Sequence, residues 1–148
     1  MSEGFYIEVA SEQRNYGGER ICGDVFISRK VKEENRTLVV LSDGMGHGVK
    51  ANVLATLTAT LALNFTMEHK AVDKIADMIM NTLPVCSERH MSYATFTVVD
   101  IEHDGITTIL EFDNPQTMIL RGGKPYDPGW KKVVITPVSY THLRAHET

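Results

Sequence analysis

The sequence has few of the residues that mark secreted or nucleic-acid-binding proteins. Its 148 residues include two cysteines and one tryptophan, and its net charge is −4. Cys22 and Cys86 lie far apart without the spacing of a metal-binding motif, so we expect free thiols in a reducing compartment. The acidic balance gives no reason to expect nucleic acid or an anionic membrane surface as a partner.

The chain also lacks a membrane span and an export signal. No apolar run approaches the roughly 20 residues that cross a bilayer, and residues 1–5 have neither the basic flank nor the apolar core of a signal peptide. We therefore expect a cytoplasmic protein with no membrane contact in this segment. With 43% apolar and 23% charged residues, the composition is that of one globular domain able to bury a core.

The most informative stretch is an apolar run followed by a glycine-rich turn, at residues 38–48. Four apolar residues in a row, 38–41, predict a short strand buried on both faces. The run stops at Asp43, and three alternating glycines follow before a helical stretch begins at Ala51. Glycine lets the backbone approach a ligand closely. A carboxylate beside backbone carbonyls suits a hard cation such as Mg²⁺ or Mn²⁺.

A second interpretation of this turn involves the helix that follows it. Asp-Gly is a common turn pair, so Asp43 could simply cap the following helix. Two phosphate-binding motifs are excluded, because Val49 stands where a dinucleotide-binding loop has its third glycine and Lys50 lacks the spaced glycine of a P-loop.

A second carboxylate is expected near the first. Residues 21–27 are rich in β-forming types, and the charged run 29–36 predicts a solvated hairpin turn that leads into the apolar strand. Antiparallel pairing of the two strands would bring Asp24 near Asp43. A merely surface-facing Asp24 is the alternative.

The order of the remaining elements indicates the fold class. Two helical stretches follow the turn, the first apolar nearly all round and therefore packed between layers, the second amphipathic. Strands then alternate with turns. The sequence therefore predicts an α+β sandwich in which helices cover a mainly antiparallel sheet, rather than a doubly wound parallel sheet. The expected strands are 5–10, 21–27, 38–41, 93–101, 106–112 and 117–120, and the expected helices are 51–66 and 70–83.

Two motifs resemble the metal-dependent serine/threonine protein phosphatases of the PPM (type 2C) family. They are Cys-Gly-Asp-Val-Phe at 22–26 and Leu-Ser-Asp-Gly-Met-Gly-His-Gly at 41–48. More narrowly, they are similar to the bacterial branch typified by stage II sporulation protein E and the stress-response phosphatases. Residues 93–100 resemble the next strand of that family, and the resemblance covers roughly residues 4–123.

The resemblance implies an α-β-β-α sandwich and a site with two divalent cations, Mn²⁺ or Mg²⁺. Asp24 would bind one metal, Asp43 would bridge both, and Gly44 would offer its carbonyl. His47 could assist, but we expect it to be a structural part of the turn. The cations lower the pKa of a bridging water, which attacks the phosphoester in line. The implied substrate is phosphoserine or phosphothreonine on a regulatory partner, of the anti-anti-sigma type.

The chain departs from the family towards its end. The family has further metal-binding aspartates downstream, and Asp127 fits neither of the expected positions. We therefore expect a partial phosphatase domain over residues 1–136, truncated at its C-terminus, with little activity. Residues 137–148 follow no family pattern and are expected to be a non-native or disordered tail. A sheet edge exposed by truncation would favour a homodimer.

Two further functions stay open at this point. Asp-Gly-x-Gly after an apolar strand also resembles the adenine pocket of histidine-kinase-type ATP-binding modules. Those modules need an asparagine on an upstream helix, whereas Asn15 and Asn35 fall in predicted loops. A phosphatase-like domain that only binds partners, without catalysis, is the other alternative.

Overall fold

The computed structural model describes residues 6–13, 23–44, 48–82, 94–135 and 140–147. The elements are β1 (Asp24–Val31), β2 (Arg36–Asp43), α1 (Gly48–Met67), α2 (Val72–Thr82), β3 (Thr95–Ile101), β4 (Thr107–Phe112), β5 (Leu120–Arg121), β6 (Lys124–Pro125), β7 (Lys131–Ile135) and β8 (Tyr140–Glu147). Six strands form an antiparallel sheet in the order β1-β2-β3-β4-β8-β7, and β5 and β6 form a separate small hairpin. The predicted antiparallel sheet with two helices is confirmed.

The hydrophobic core lies between one face of the sheet and the two helices. Because side chains alternate along a strand, Leu38 and Val40 of β2 point to this face and are fully buried. Val40 pairs with Val98 of β3, which is buried in the same cluster. On the helix side, the core includes small residues such as Ala59. Small side chains let a helix lie close to a sheet. These contacts hold α1 and α2 on the sheet.

The opposite face of the sheet is only partly covered. Leu41 is 44% exposed and Val39 is partly buried, so the expected burial of this strand on both faces is wrong for the described residues. Helix α1 likewise leaves Val53 and Leu57 about half exposed, although a helix covered on every side was expected. The physical reason is the same in both cases: within the described ranges, the helices cover one face of the sheet and nothing covers the outer side of α1.

A buried ion pair fixes the first residue of β2. Arg36 is 4% exposed, and its Nε and Nη2 atoms donate to the two carboxylate oxygens of Asp100 at 2.8 and 2.7 Å. Nη2 also donates to the carbonyl of Thr66 at 2.7 Å, near the end of α1. The hydrogen bonds to Asp100 raise the pKa of Arg36 above its ordinary value. The pair therefore joins β2, β3 and α1 through one guanidinium group.

Several expectations about element boundaries need correction. The charged turn is shorter than predicted, because Arg36 is buried in the sheet rather than solvated. Residues 6–10 form no strand, and Tyr6 is 88% exposed. The strand expected over 117–120 is reduced to β5. The structure places Tyr140–Glu147 in the sheet, whereas the sequence set residues 137–148 aside as a tail; the domain boundary at 136 stays a prediction.

We predict that Asp100→Asn strongly destabilises the protein. The variant removes the buried carboxylate that both Nε and Nη2 of Arg36 contact, and breaking such a buried pair typically costs about 3–5 kcal/mol. Urea unfolding at neutral pH measures the change. Glu34→Gln is the matched control, since the Glu34 carboxylate is 41% exposed and 3.3 Å from Arg36, and a surface ion pair contributes about 0–1 kcal/mol. Equal effects of the two variants would contradict this account.

Candidate active site

The two predicted site carboxylates meet at one end of the sheet. β1 and β2 pair antiparallel in a register that places Asp24 directly opposite Asp43. The register follows from the short turn between the strands, where a single 3₁₀ turn at Lys32–Glu34 and Asn35, with φ 49°, reverse the chain. The predicted juxtaposition of Asp24 and Asp43 is therefore confirmed, and their role as metal ligands stays a prediction.

Burial and the neighbouring charge of Asp43 perturb the ionisation of Asp24. Burial raises the pKa of Asp24, and the neighbouring charge of Asp43 and the hydrogen bond between the two carboxyl groups raise the pKa further. All three causes disfavour two bare negative charges side by side. A proton shared between the carboxylates, or a cation bound to both, removes the repulsion. The geometry therefore suits a positively charged ligand.

Gly44 is required by close packing and not by an unusual backbone angle. Its N–H donates to the carbonyl of Gly23 at 3.2 Å, which continues the β1–β2 pairing past Asp43. A Cβ atom at position 44 would lie 2.0 Å from the carbonyl oxygen of Ala51 in α1. A side chain here would push the first turns of α1 away from the carboxylates. The use of the Gly44 carbonyl as a ligand stays a prediction.

The carboxylates border a cavity of ≈ 510 Å³ on the partly covered face of the sheet. Its floor is apolar, and the segment that follows β4 forms the opposite wall. The lining residues are Asp24, Phe26, Val39, Leu41, Asp43, Thr97, Val99, Asn114, Pro115 and Thr117.

The donor atoms at this site fit a hard divalent cation in part. Carboxylate oxygens are the ligands that Mg²⁺ and Mn²⁺ prefer, and Asp24 and Asp43 bring them together. In the ranges that the structure describes, no group of three or more acidic, histidine or cysteine side chains could hold a metal ion. Asp127 accepts a hydrogen bond from the N–H of Gly129 in a local turn. His47 and Cys22 lie outside the described residues.

Sequence reasoning missed Asn114. The Asn-Pro pair after β4 predicted a turn, and nothing in the pattern indicated where its side chain would reach. Nδ2 of Asn114 donates to Oγ1 of Thr97 at 2.8 Å and to the carbonyl of Leu41 at 3.3 Å. Oγ1 of Thr95 donates to Oδ1 of the same amide. These partners are far away in the sequence, so no local signal could have identified them.

Solved structures place the fold among PP2C-type phosphatases. The PP2C phosphatase domain of SpoIIE from Bacillus subtilis, solved with a fragment of its regulatory domain, superposes with a TM-score of 0.65 at 18% identity, over 89% of this chain and 40% of that one. RsbX in complex with magnesium gives 0.59 at 18% identity, over 93% and 65%. A structure from a study of the bacterial stressosome gives 0.68 at 18% identity, over 91% and 66%. The chain thus spans less than two thirds of each of these structures.

The family model for stage II sporulation protein E (SpoIIE) matches residues 33–137. The chain therefore belongs to the SpoIIE family, and the resemblance to PPM-type phosphatases is confirmed. No curated protein matches the sequence significantly. In the described part of the chain, none of the helices has the length and apolar character that crossing a membrane requires.

We predict that Asp24→Asn stabilises the metal-free protein at neutral pH. The folded pKa of Asp24 lies above its ordinary value of 3.8, so the folded state holds this proton more tightly than the unfolded chain does. The contribution of Asp24 to stability is present at lower pH and is lost as the pH rises through the folded pKa. Like charges directly opposite each other on neighbouring strands are destabilising, and cross-strand pairs change stability by roughly 0.2–1 kcal/mol. Removing the Asp24 charge should therefore raise the free energy of unfolding by about this amount.

Urea unfolding in EDTA at pH 7 and at pH 4 measures this effect. The gain should be present at pH 7 and smaller at pH 4. Asp104→Asn is the matched control, because the Asp104 carboxylate accepts a turn hydrogen bond from the N–H of Ile106, which the amide oxygen of asparagine can also accept. A variant less stable than the wild type at pH 7 would contradict repulsion between Asp24 and Asp43.

Proposed function

We propose that this chain carries part of the active site of a phosphatase that acts on phosphoserine or phosphothreonine of a regulatory partner protein. The observation that carries the proposal is the pairing of Asp24 with Asp43 beside a cavity, in a chain of the SpoIIE family. Hydrolysis of a phosphoester in this family of enzymes needs no protein nucleophile, and the described residues around the cavity include no cysteine or histidine.

Asp24 and Asp43 would hold the cations, with the carbonyl of Gly44 as a further oxygen ligand. Two divalent cations, Mn²⁺ or Mg²⁺, would supply an activated water and offset the negative charge of the phosphoryl group. The protein's own contribution is to hold the carboxylates on a rigid strand pair, where the partial burial of Asp24 strengthens its attraction for a cation. The solved structure of RsbX with magnesium supports a divalent cation as the class of cofactor.

The site offers fewer carboxylates than two cations need. Two acidic side chains leave most ligand positions to water, because Mg²⁺ demands six oxygen ligands and Mn²⁺ prefers similar donors. We therefore expect weak cation binding and little turnover from these residues by themselves. The chain would then act as a phosphatase-like binding domain unless other carboxylates join the site.

A regulatory protein is the substrate class that the structural neighbours support. One neighbour comes from a study of the bacterial stressosome. Another contains the RsbU and RsbW domains of a Mycobacterium tuberculosis protein, with a TM-score of 0.55 at 15% identity. An anti-anti-sigma-like phosphoprotein in the cytoplasm fits this setting.

The ATP-binding alternative has little support in the structure. Asn35 lies in the turn between β1 and β2, next to the first residue of β2. A strand rises about 3.3 Å per residue, so roughly 25 Å separate Asn35 from Asp43 at the other end. Asn35 therefore cannot share a cation with Asp43, and Asn15 lies outside the described residues.

Calorimetric titration with Mn²⁺ tests the proposal. We expect saturable binding by the wild type and at least about tenfold weaker binding by Asp24→Asn and by Asp43→Asn, because each carboxylate is a direct ligand. Asp104→Asn, a charge change in the β3–β4 turn, should bind like the wild type. A phosphoserine peptide assay with Mn²⁺ then measures turnover, which should be low and lost in both site variants.

The same titrations separate the alternatives. Equal Mn²⁺ affinity in all four proteins would exclude a metal site at the carboxylate pair. ATP binding that depends on Asp43 but not on Asp24 would replace the phosphatase by a nucleotide-binding module. Mn²⁺ binding with no turnover of any phosphopeptide would leave a binding domain that keeps the metal site.

A further inference from the structure

Asn114 links two strands at the carboxylate end of the sheet. The chain leaves β4 at Asp113, whose φ of 57° turns the backbone so that the next side chain reaches back over the sheet. The Asn114 amide then bonds to the carbonyl of Leu41 in β2 and to the hydroxyls of Thr97 and Thr95 in β3. One side chain therefore spans the β2–β3 pair.

The residues that Asn114 holds are the direct neighbours of the Asp43 carboxylate. Thr95 is the cross-strand partner of Asp43, and Thr97 is the partner of Leu41, two residues before Asp43. Ser42, between them, is fully buried and donates its hydroxyl to the carbonyl of Thr95 at 2.8 Å. On the other side of β2, the N–H of Gly44 bonds to Gly23. Asp43 is thus fixed from both neighbouring strands.

Asn114 is itself held in place independently of any ligand. Three residues further on, the N–H of Thr117 donates to Oε2 of Glu111, a carboxylate that is 1% exposed. Pro115 lies between these two attachments, and its ring restricts the backbone further. The segment that forms one wall of the cavity is therefore anchored at both ends. Such anchoring is what keeps a functional side chain within a fraction of an ångström of its working position.

The hydrogen bonds of the Asn114 amide run to the two strands that hold Asp43. Its oxygen accepts from Thr95, and its nitrogen donates to Leu41 and Thr97. Its effect on a bound cation would therefore be indirect, through the position of β2. Strand ends open more easily than strand centres, and the last pairs of β2 with β3 are the ones that Asn114 bridges.

We propose that Asn114 is a positioning residue that holds the Asp43 carboxylate in place for cation binding, through its hydrogen bonds to Leu41, Thr95 and Thr97. The inference rests on the proposed function, because it concerns the same metal site. Residues that orient metal ligands without touching the metal typically change affinity about 10- to 100-fold when they are removed. Asn114→Ala should weaken Mn²⁺ binding by that factor.

The test compares Mn²⁺ affinity with folding in the same proteins. Calorimetry gives the affinity of the wild type, Asn114→Ala and the control Asn64→Ala, whose side chain is exposed on α1. Urea unfolding in EDTA identifies conditions in which every variant is folded, and the titrations are run there. The electron paramagnetic resonance spectrum of bound Mn²⁺ should be broader for Asn114→Ala, since a less fixed carboxylate gives a wider range of ligand geometries. A purely structural role would lower stability and leave the spectrum unchanged.

A double-mutant cycle identifies the route of the effect. Thr97→Val removes one partner of Asn114 without touching the carboxylates, so it should weaken Mn²⁺ binding in part. Adding it to Asn114→Ala should cause little further loss, because residues that share a network act non-additively. Fully additive effects of the two substitutions would overturn the proposed route through Thr97.

The outcomes distinguish this inference from the proposed function. Wild-type affinity and spectrum in Asn114→Ala, with binding lost in Asp43→Asn, would overturn the positioning role and leave the metal site standing. An absence of Mn²⁺ binding by the wild type would overturn the metal site and this role together. An equal loss of affinity in Asn64→Ala would also overturn the positioning role, since the effect would then be general.

Discussion

The rest of this structure depends on two carboxylates that lie side by side at the end of a strand pair. Asp24 and Asp43 face each other in the β1–β2 register, and burial and repulsion both disfavour their joint ionisation. A fold retains such a pair only where the surrounding structure holds it in place, and such local conflicts are typical of functional sites. The hydrogen bonds of Gly44 and Ser42 on either side of Asp43 provide that support.

Helix α1 supports β2 at both of its ends. An eight-residue strand spans about 26 Å, and a 20-residue helix spans about 30 Å, so α1 can return along β2 for its whole length. Its beginning packs so closely on Gly44 that a Cβ atom has no room. Its end accepts a hydrogen bond from Arg36 through the carbonyl of Thr66. The Arg36–Asp100 ion pair therefore anchors the strand whose other end carries the Asp43 carboxylate.

Whether a contact could be predicted from the sequence depended on how far apart its residues lie along the chain. The Asp24–Asp43 pairing was predictable because one short turn joins two β-rich stretches and sets their register. The burial of Arg36 was not, since Asp100 and Thr66 are its partners and a charged run normally indicates a solvated turn. Asn114 was missed for the same reason. The exposure of Leu41 could not be predicted from the apolar run 38–41, because hydrophobicity does not show which face of a strand is covered by another layer.

The apolar floor of the cavity would couple cation binding at the proposed site to a layer that covers this face of the sheet. Burial is the largest cause of the raised pKa of Asp24, and Phe26 and Leu41 line the cavity beside the carboxylates. Excluding more water would raise the free-energy cost of ionising Asp24 and would strengthen the attraction of the two carboxylates for a cation. Coupling of this kind is reciprocal. A bound cation would therefore stabilise a covering layer on this face by the same free energy with which that layer would stabilise the bound cation.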